Sequence, residues 1–234
     1  MNVVITGANK GLGFQLVKVL AENGHRVMAG VFEGDDPSPV ERLAAAHAGQ
    51  VQLTPLDVAD EDSVRSAAAT TPTVFSAVDV LINNAGVLLS GDRTATIDKI
   101  SIPELRQTIA VNAIGTVMVL KYFLPLMRAD GAGMMLFITS EAGSLSNSGS
   151  GFPAYSISKT AANKAVLIGR ATAGASYRIY AMHPGRMNTD MGRTTAQIEP
   201  EEAAASIYRI AAGMTPIRDN GTGYIDYKGE AMPL

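Results

Sequence analysis

Seven short apolar runs recur along the chain, separated by longer stretches. The runs are rich in β-branched residues, and most lack the alternation of apolar and polar positions that marks a half-exposed strand. They are NVVIT (2–6), RVMAGVF (26–32), VQLTPL (51–56), VDVLIN (78–83), MMLFIT (134–139), RIYAMH (178–183) and TGYID (222–226). Strands that are apolar on both sides are buried between layers of helices, so the pattern predicts an α/β protein with a doubly wound, seven-stranded parallel sheet.

Six longer stretches between these runs have helical length and composition. They are 12–23, 39–48, 60–76, 102–129, 154–173 and 200–213. Pro103 and Pro153 stand near the starts of two of them, where the missing N–H of proline costs little. With 234 residues the chain is long enough for one large α/β domain and short for two, so we expect a single domain over 1–234.

Charge and composition argue against two classes of function. Nineteen basic and 22 acidic residues give a net charge of −3, which offers no basic footprint for a phosphate backbone, so we expect no nucleic-acid partner. The chain has no cysteine, and the spacing of His25, His47 and His183 does not form a ligand cluster. We therefore expect no metal site.

The apolar segments also favour a cytoplasmic protein that does not span a membrane. The first apolar run is too short for a signal peptide and breaks into glycines where a cleavage region would be. The apolar stretch 111–127 is interrupted by Asn112, Lys121 and Pro125, so it predicts a buried helix better than a membrane span. The absence of cysteine fits a reducing compartment.

TGANKGLG, residues 6–13, follows the first predicted strand and opens the first predicted helix. Glycine at 7, 11 and 13 permits a tight turn whose backbone N–H groups can approach a pyrophosphate, and the helix dipole favours negative charge there. The strand, turn and helix context favours dinucleotide binding over the alternative of a purely structural turn.

AYSISK, residues 154–159, places Tyr155 and Lys159 four positions apart, on one face of a predicted helix. A free phenol with a pKa of about 10 is a poor acid or base near neutrality, and a cation about 4 Å away would lower that pKa. The pair is thus a candidate proton donor with the group that tunes it. The alternative is that Tyr155 covers a helix while Lys159 is a solvated charge.

Further motifs occur in order, and together they resemble the short-chain dehydrogenase/reductase family over almost the whole chain. They are Gly-x-x-x-Gly-x-Gly in 7–13, Asp57-Val58, NNAG at 83–86, VNAIG at 111–115, Ser140, Tyr155-x-x-x-Lys159 and HPGRMNTDMG at 183–192. The resemblance implies a Rossmann-type fold and hydride transfer between a nicotinamide cofactor and a carbonyl or secondary alcohol. The segment HPGRMNTDM and the tail IDYKGEAMPL look most like sniffer and C-factor-like carbonyl reductases.

The resemblance also implies catalytic roles. Tyr155 would be the general acid or base, and Lys159 would tune it and bind the nicotinamide ribose. Ser140 would hold the substrate oxygen, and Asn112 would anchor a water in a proton relay. Ser140 lies fifteen positions before Tyr155 instead of the family's usual thirteen, so Ser144 stays open as an alternative, although TSEAG aligns with the family's serine-bearing turn.

The cofactor-binding residues expected from the resemblance come from the glycine turn, the loops after later strands and the catalytic helix. They are Gly7, Asn9, Lys10, Gly11, Leu12, Gly13, Asp57, Val58, Asn83, Ala85, Gly86, Tyr155, Lys159, Pro184, Gly185 and Thr189. His183 precedes a proline at a strand end and is interpreted as structural.

The choice of cofactor rests on the end of the second strand. NAD enzymes of the family that the chain resembles carry an acidic residue there, which repels a 2′-phosphate. The resemblance puts Val31 at that position, so the acid is missing, and Lys10 could meet the phosphate as the basic residue of many NADP enzymes does. Phe32 stands where an arginine often follows, and Glu33 is near enough to oppose phosphate. We therefore favour NADP(H), with NAD(H) as the alternative.

The substrate is expected to be an apolar small-molecule carbonyl compound or alcohol. The segments 143–151 and 188–200 follow strands and are candidates for the mouth of a pocket. Leu88, Leu89 and Leu145 lie in the neighbouring loops, with Phe152 after them.

Two other functions stay open. One is a dinucleotide-binding regulatory or signalling protein with little turnover, and the other is an enzyme of the same fold with different net chemistry, such as a dehydratase or epimerase. The resemblance further implies a homodimer or homotetramer formed through the helices 102–129 and 154–173.

Overall fold

The computed structural model describes residues 1–147, 149, 151–189, 191–192 and 196–234. Its centre is one sheet of seven strands. They are β1 (Asn2–Thr6), β2 (Arg26–Val31), β3 (Val51–Pro55), β4 (Val80–Asn83), β5 (Met134–Ile138), β6 (Arg178–His183) and β7 (Tyr224–Asp226). The strand order is β3-β2-β1-β4-β5-β6-β7, and every neighbouring pair is parallel. The predicted doubly wound, Rossmann-type sheet is confirmed.

Helices cover both faces of the sheet. They are α1 (Gly11–Glu22), α2 (Ser38–Ala46), α3 (Glu61–Val74), α4 (Ile102–Ile109), α5 (Gly115–Phe123), α6 (Pro153–Ala173) and α7 (Pro200–Ala211). Consecutive strand residues point to opposite faces, so Val3 and Ile5 of β1 join the core under α1 and α7, while Val4 joins the core under α3, α5 and α6. Strands buried on both sides explain the unbroken apolar runs of the sequence.

The predicted helix 102–129 is divided. After α4, residues Ala110–Ile114 form a single π-helical turn, then α5 follows, and the 3₁₀ turn Leu124–Leu126 ends the segment. Pro125 lies in that last turn and cannot donate an N–H, which explains why the helix stops short of 129. A single π turn inside a helix often accompanies a functional site, and here it contains Asn112.

One helical stretch of the described residues, Ile102–Leu126, is long and apolar enough to cross a membrane by length and composition, with a mean hydropathy of 1.7. Its residues Val119 and Phe123 are fully buried in the core beside the sheet. The stretch therefore has the buried face of a core helix, as its sequence predicts.

The carboxyl ends of β1, β4, β5 and β6 meet at one edge of the sheet. In this parallel sheet the direction in which successive strands are added reverses between β1 and β4. In open sheets of this kind, ligands bind outside the carboxyl ends of the strands at such a point. The glycine turn follows β1, NNAG follows β4, Ser140 follows β5 and Pro184 follows β6. The topology thus brings together motifs that are far apart in the chain.

Candidate active site

The loop between β1 and α1 has the tight geometry that its glycines predict. Gly7 and Gly11 have φ angles of 63° and 52°, in the left-handed region that favours glycine. A Cβ at Gly13 would lie 2.0 Å from the carbonyl oxygen of Gly7, so a side chain does not fit there. The N-cap residue Lys10 makes no side-chain cap, so its side chain does not occupy the first-turn amides of α1.

Side chains fasten the segment after β4 to this turn. Asn84 donates from Nδ2 to the carbonyl oxygens of Thr6 (3.2 Å) and Gly7 (2.9 Å). Thr6 accepts the N–H of Ala85 (3.0 Å) and donates to Oδ1 of Asn83 (2.8 Å). Thr6 and Asn84 are missing from the site residues expected from sequence, because the motif pattern does not reveal which of its side chains hold the turn.

The glycine turn fits the diphosphate of a dinucleotide. It offers backbone amides at the positive end of a helix dipole, and its three glycines have no side chains of their own. Oδ1 of Asn9 is buried and has no hydrogen-bond partner among the described residues, which leaves an acceptor for a ligand hydroxyl. A Cβ at Gly11 would lie 3.6 Å from Cγ2 of Thr189, so the segment after β6 lies against the turn, while Leu12 is buried beneath it.

The loop after β3 carries the two residues expected at the adenine. Oδ1 of Asp57 accepts the N–H of Ala59 (2.8 Å), and the N–H of Asp57 is bound by Oγ of Ser63 (2.9 Å). Val58 is buried, and a Cβ at Gly115 would lie 2.8 Å from its carbonyl oxygen. These contacts fix the loop at the carboxyl edge of the sheet, and the adenine contact itself stays a prediction.

Lys10 is not an isolated cation. Its Nζ lies 2.7 Å from Oδ1 of Asp35, in an ion pair whose side chains are 67% and 30% exposed. The sequence predicts Glu33 as the carboxylate that opposes phosphate, whereas the structure brings Asp35 to Lys10. The loop after Val31 therefore supplies a carboxylate that a 2′-phosphate would have to displace.

Tyr155 and Lys159 lie on the buried face of α6, as their spacing predicts. Nζ of Lys159 is 5.5 Å from the centroid of the Tyr155 ring and donates to the carbonyl oxygen of Ile138 at 2.9 Å. That carbonyl ends β5, so the ammonium is anchored to the carboxyl edge of the sheet. A Cβ at position 86 would lie 3.2 Å from Nζ of Lys159, so the glycine at this position leaves room for the ammonium group.

Burial dominates the protonation of this pair. It raises the pKa of Tyr155 to about 12, the Ser140 hydroxyl opposes that shift by a hydrogen bond, and the Glu141 charge adds to it. Burial also lowers the pKa of Lys159 to about 8. The expected net lowering of the phenol pKa is therefore wrong for the protein's own residues, because loss of hydration at the buried phenol raises the pKa by more than the favourable interactions lower it.

Ser140 is the serine that reaches Tyr155. It caps the short 3₁₀ turn Glu141–Gly143, with Oγ accepting the N–H of Ala142 (3.2 Å), and its hydroxyl interacts with the Tyr155 phenol. Ser144, the alternative left open by the unusual spacing, instead donates to the carbonyl oxygen of Pro233 (2.7 Å). The two extra residues of the loop after Ser140 thus leave the serine at the strand end in place.

Asn112 is fully engaged by the protein. Its Oδ1 accepts the N–H of Val87 (2.8 Å), and its Nδ2 donates to the carbonyl oxygen of Val87 (2.9 Å) and to Oγ of Ser158 (2.9 Å). Its own carbonyl oxygen accepts the hydroxyl of Thr116 (2.9 Å). The side chain therefore joins the π turn, the loop after NNAG and α6, and the expected water-anchoring role stays a prediction.

The model of the short chain dehydrogenase family matches residues 1–200. The protein belongs to the short-chain dehydrogenase/reductase family. It is 32% identical to the short chain dehydrogenase gsfK of Penicillium aethiopicum, over 98% of each chain. It is also 33% identical to the C-signal protein of Myxococcus xanthus, over 67% of this chain and 92% of that protein.

Solved structures have the same fold. The carbonyl reductase Sniffer of D. melanogaster matches with a TM-score of 0.88 and 24% identity, over 100% of this chain and 99% of the other. The NADPH-bound carbonyl reductase from chicken fatty liver matches with a TM-score of 0.86 and 23% identity, over 100% and 94%. The narrower resemblance to sniffer and C-factor-like proteins is confirmed, and this short-chain dehydrogenase/reductase is an NAD(P)-dependent oxidoreductase.

The loop after β6 begins with a close approach of backbone and side chain at Gly185. Gly185 has a φ of 88°, and it lies so close to Ile198 that a Cβ would be 2.6 Å from that side chain. Pro184 is buried beside it. Asp190 and Arg193, two charges of this loop, lie outside the described residues.

A charged cluster next to Ser140 is the feature that sequence inspection missed most clearly. Glu141 pairs with Arg186, and His183 accepts the N–H of Glu141 at Nδ1 (3.2 Å). Arg186 holds the pKa of Glu141 below its usual range, and burial lowers the pKa of His183. Glu141 and Arg186 come from segments after different strands, so no local sequence pattern predicts their pairing. For His183, the contact that the structure gives is the hydrogen bond from the backbone N–H of Glu141, and its structural role stays a prediction.

Proposed function

We propose that this protein is a carbonyl reductase that transfers hydride between NADP(H) and a small carbonyl compound or secondary alcohol, with Tyr155 as general acid and base. The observation that supports it best is that the buried Tyr155 phenol and Lys159 ammonium lie at the sheet edge that carries the glycine turn, with the half-buried Ser140 hydroxyl hydrogen-bonded to the phenol. A pure binding protein has no need of a buried acid beside a hydroxyl donor.

When bound, the nicotinamide supplies the hydride that forms the new C–H bond at the carbonyl carbon. Tyr155, with a pKa of about 12, keeps its proton near neutral pH and can donate it to the carbonyl oxygen as negative charge develops there. The Ser140 hydroxyl would donate a hydrogen bond to that same oxygen. Lys159 would stabilise the resulting phenolate, and the reverse sequence would oxidise an alcohol.

The residues around the glycine turn support NADP(H) with NAD(H) as the alternative. β2 ends at Val31, so the loop lacks an acid at the position that would face the adenosine ribose. Lys10 offers a cation, although Asp35 holds it. The chicken carbonyl reductase with its bound NADPH has the same fold, which adds support from a related structure.

Exposed apolar side chains support both an apolar substrate and self-association. Leu145 is 78% exposed in a segment beside Ser140, where it could contact substrate.

Ile114 and Val117 near the start of α5, and Ile168 of α6, are about half exposed. We infer a homodimer or homotetramer through these helices, which light scattering after gel filtration would detect as a mass two or four times that of one chain.

The test is a panel of carbonyl compounds and alcohols followed at the nicotinamide absorbance with NADPH and with NADH. We expect turnover of apolar ketones or aldehydes with NADPH. Tyr155→Phe should keep cofactor affinity but lose turnover by a factor on the order of 10² to 10⁴, since it removes only the phenolic hydroxyl group that carries the acidic proton. Tyr122→Phe is the matched control, because this half-buried tyrosine donates its hydroxyl hydrogen bond to Glu61, away from the site.

Each outcome has a distinct meaning. Equal turnover by Tyr155→Phe and the unchanged enzyme would remove the catalytic role of the phenol. Tight cofactor binding without turnover of any compound in the panel would favour the dinucleotide-binding regulatory protein instead. Faster turnover with NADH than with NADPH would overturn the proposed cofactor.

A further inference from the structure

A carboxylate is buried at the start of the catalytic helix. Asp92 is 2% exposed and lies in the short 3₁₀ turn Gly91–Arg93, in the loop between NNAG and α4. Its Oδ1 accepts the N–H of Ala154 (2.9 Å), and its Oδ2 accepts the N–H of Tyr155 (2.8 Å). One side chain, distant in sequence, thus holds the backbone of the candidate general acid with both oxygens.

This contact completes the hydrogen bonding of the first turn of α6. Pro153 has no N–H, and the N–H of Ser156 already binds the carbonyl oxygen of Phe152 (2.8 Å). The two remaining amides are those of Ala154 and Tyr155, and Asp92 accepts both. Phe152, at the N-cap, contributes no side-chain cap and has a φ of 54°, which a bulky residue rarely adopts. The helix start therefore depends on Asp92 for its geometry.

The loop that carries Asp92 is itself attached to the rest of the site. Its first residue, Val87, is bound at both N–H and C=O by Asn112. Beside Asp92, Nη2 of Arg93 donates to the carbonyl oxygen of Met191 (2.9 Å) in the segment after β6. Asp92 is thus connected to the cofactor side through Val87 and to the segment after β6 through its neighbour.

We propose that Asp92 is a positioning residue for catalysis: its two hydrogen bonds fix the height and rotation of the first turn of α6, so that the Tyr155 hydroxyl meets the substrate oxygen. The proposal rests on the proposed function, since it requires Tyr155 to be the acid. Two bonds to successive amides define an orientation that a single bond would not, and small misplacements of a catalytic group are costly.

A double-mutant cycle tests the proposal with the best carbonyl substrate of the panel. Asp92→Ala should lower kcat by about tenfold to a hundredfold and leave the KM for NADPH unchanged, because the glycine turn is not touched. Asp92→Asn keeps one acceptor oxygen but presents an amide donor to the second N–H. Its kcat should therefore lie between those of Asp92→Ala and the unchanged enzyme. In a Tyr155→Phe background, Asp92→Ala should cause no further loss, because Asp92 acts only through the phenol.

The matched control is Asp98→Ala, because Asp98 is an exposed carboxylate of the same loop that accepts the hydroxyl of Thr96 and lies outside the first turn of α6. Equal losses from Asp92→Ala in both backgrounds would reveal a general structural role and overturn the proposal, as would an Asp92→Asn enzyme with unchanged kcat. If Asp92→Ala does not fold, Asp92→Asn completes the same cycle. Full turnover by Tyr155→Phe alone would instead refute the proposed function, so the two failures are distinguishable.

Discussion

The glycine turn and the pocket around Tyr155 lie at the same edge of the sheet but obtain their shapes in opposite ways. At the turn, the absence of side chains at Gly7 and Gly13 lets the backbones of these two residues approach each other closely. The hydrogen bond from Asn84 that holds the turn also goes to a backbone atom, the carbonyl oxygen of Gly7. In the pocket, buried polar side chains depend on distant partners, since Lys159 binds the carbonyl oxygen of Ile138 and Asp92 binds the N–H of Tyr155. Changes at the turn should therefore act through sterics, and changes in the pocket through charge and hydrogen bonding.

The largest effect is expected from a methyl group at the turn. In Gly13→Ala the added Cβ would lie 2.0 Å from the carbonyl oxygen of Gly7 and 2.6 Å from Nδ2 of Asn84. We expect a loss of about 3 kcal/mol in the free energy of unfolding, because close-packed backbone cannot move aside cheaply. Urea denaturation measures the free energy, and nicotinamide fluorescence should show that NADPH binding is lost.

The control for this variant is Gly24→Ala, just beyond the other end of α1. Gly24 has a φ of 76° but open space where a Cβ would point. Its substitution should cost about 1 kcal/mol through backbone strain alone and leave NADPH binding intact. If both variants bind NADPH equally well, steric closure of the turn is not what shapes the cofactor site.

The second prediction concerns the pocket and depends on pH. Burial lowers the pKa of Lys159 from 10.5 to about 8, so between these pH values the unfolded chain holds a proton that the folded protein has lost. The free energy of unfolding then rises with pH across that window. Below pH 8, Lys159 contributes no pH dependence to it. Lys159→Met should remove this rise, which would be about 3 kcal/mol at its full extent.

Chemical denaturation at several pH values between 7 and 10 checks this difference. Lys164→Met is the matched control, since Lys164 lies on the same helix with an exposed side chain. It should keep the pH dependence of the unchanged protein. If the free energy of unfolding changes with pH equally in Lys159→Met and in the unchanged protein, Lys159 stays hydrated in the folded state. The proposed contrast between a sterically shaped turn and a pocket governed by buried charge would then be wrong for Lys159.

This contrast explains how far the sequence alone could predict the protein. β1 and β6 were predicted with the observed bounds, because a strand buried on both faces leaves an unbroken apolar run. The glycine turn was equally clear, since glycine spacing records a local backbone requirement. The division of 102–129 by a π turn was missed, because the amphipathic period continues through it and only the tertiary bonds of Asn112 distinguish that turn.

In the pocket, sequence spacing predicted that Tyr155 and Lys159 share one helix face, but it did not predict their energetics. The expected direction of the phenol pKa shift was wrong because the degree of burial cannot be read from spacing. Asp92 gave no signal, since its partners follow about 60 positions later in the chain. Charges whose partners lie on other loops, such as Asp35 beside Lys10, escape sequence inspection for the same reason.

The smallest effect is expected at the exposed rim of the turn, where Lys10 and Asp35 pair at 2.7 Å. If Lys10 meets a 2′-phosphate, Asp35→Asn should release it and raise the ratio of NADPH to NADH affinity by about threefold, the scale of an exposed ion pair. Lys10→Ala should lower that ratio, and the double variant should resemble Lys10→Ala because Asp35 would act mainly through the lysine. Dissociation constants measured at low and high salt check this, since screening should shrink the difference. An unchanged ratio in Lys10→Ala would exclude the lysine as the phosphate contact and leave NADP(H) preference to the missing acid at Val31.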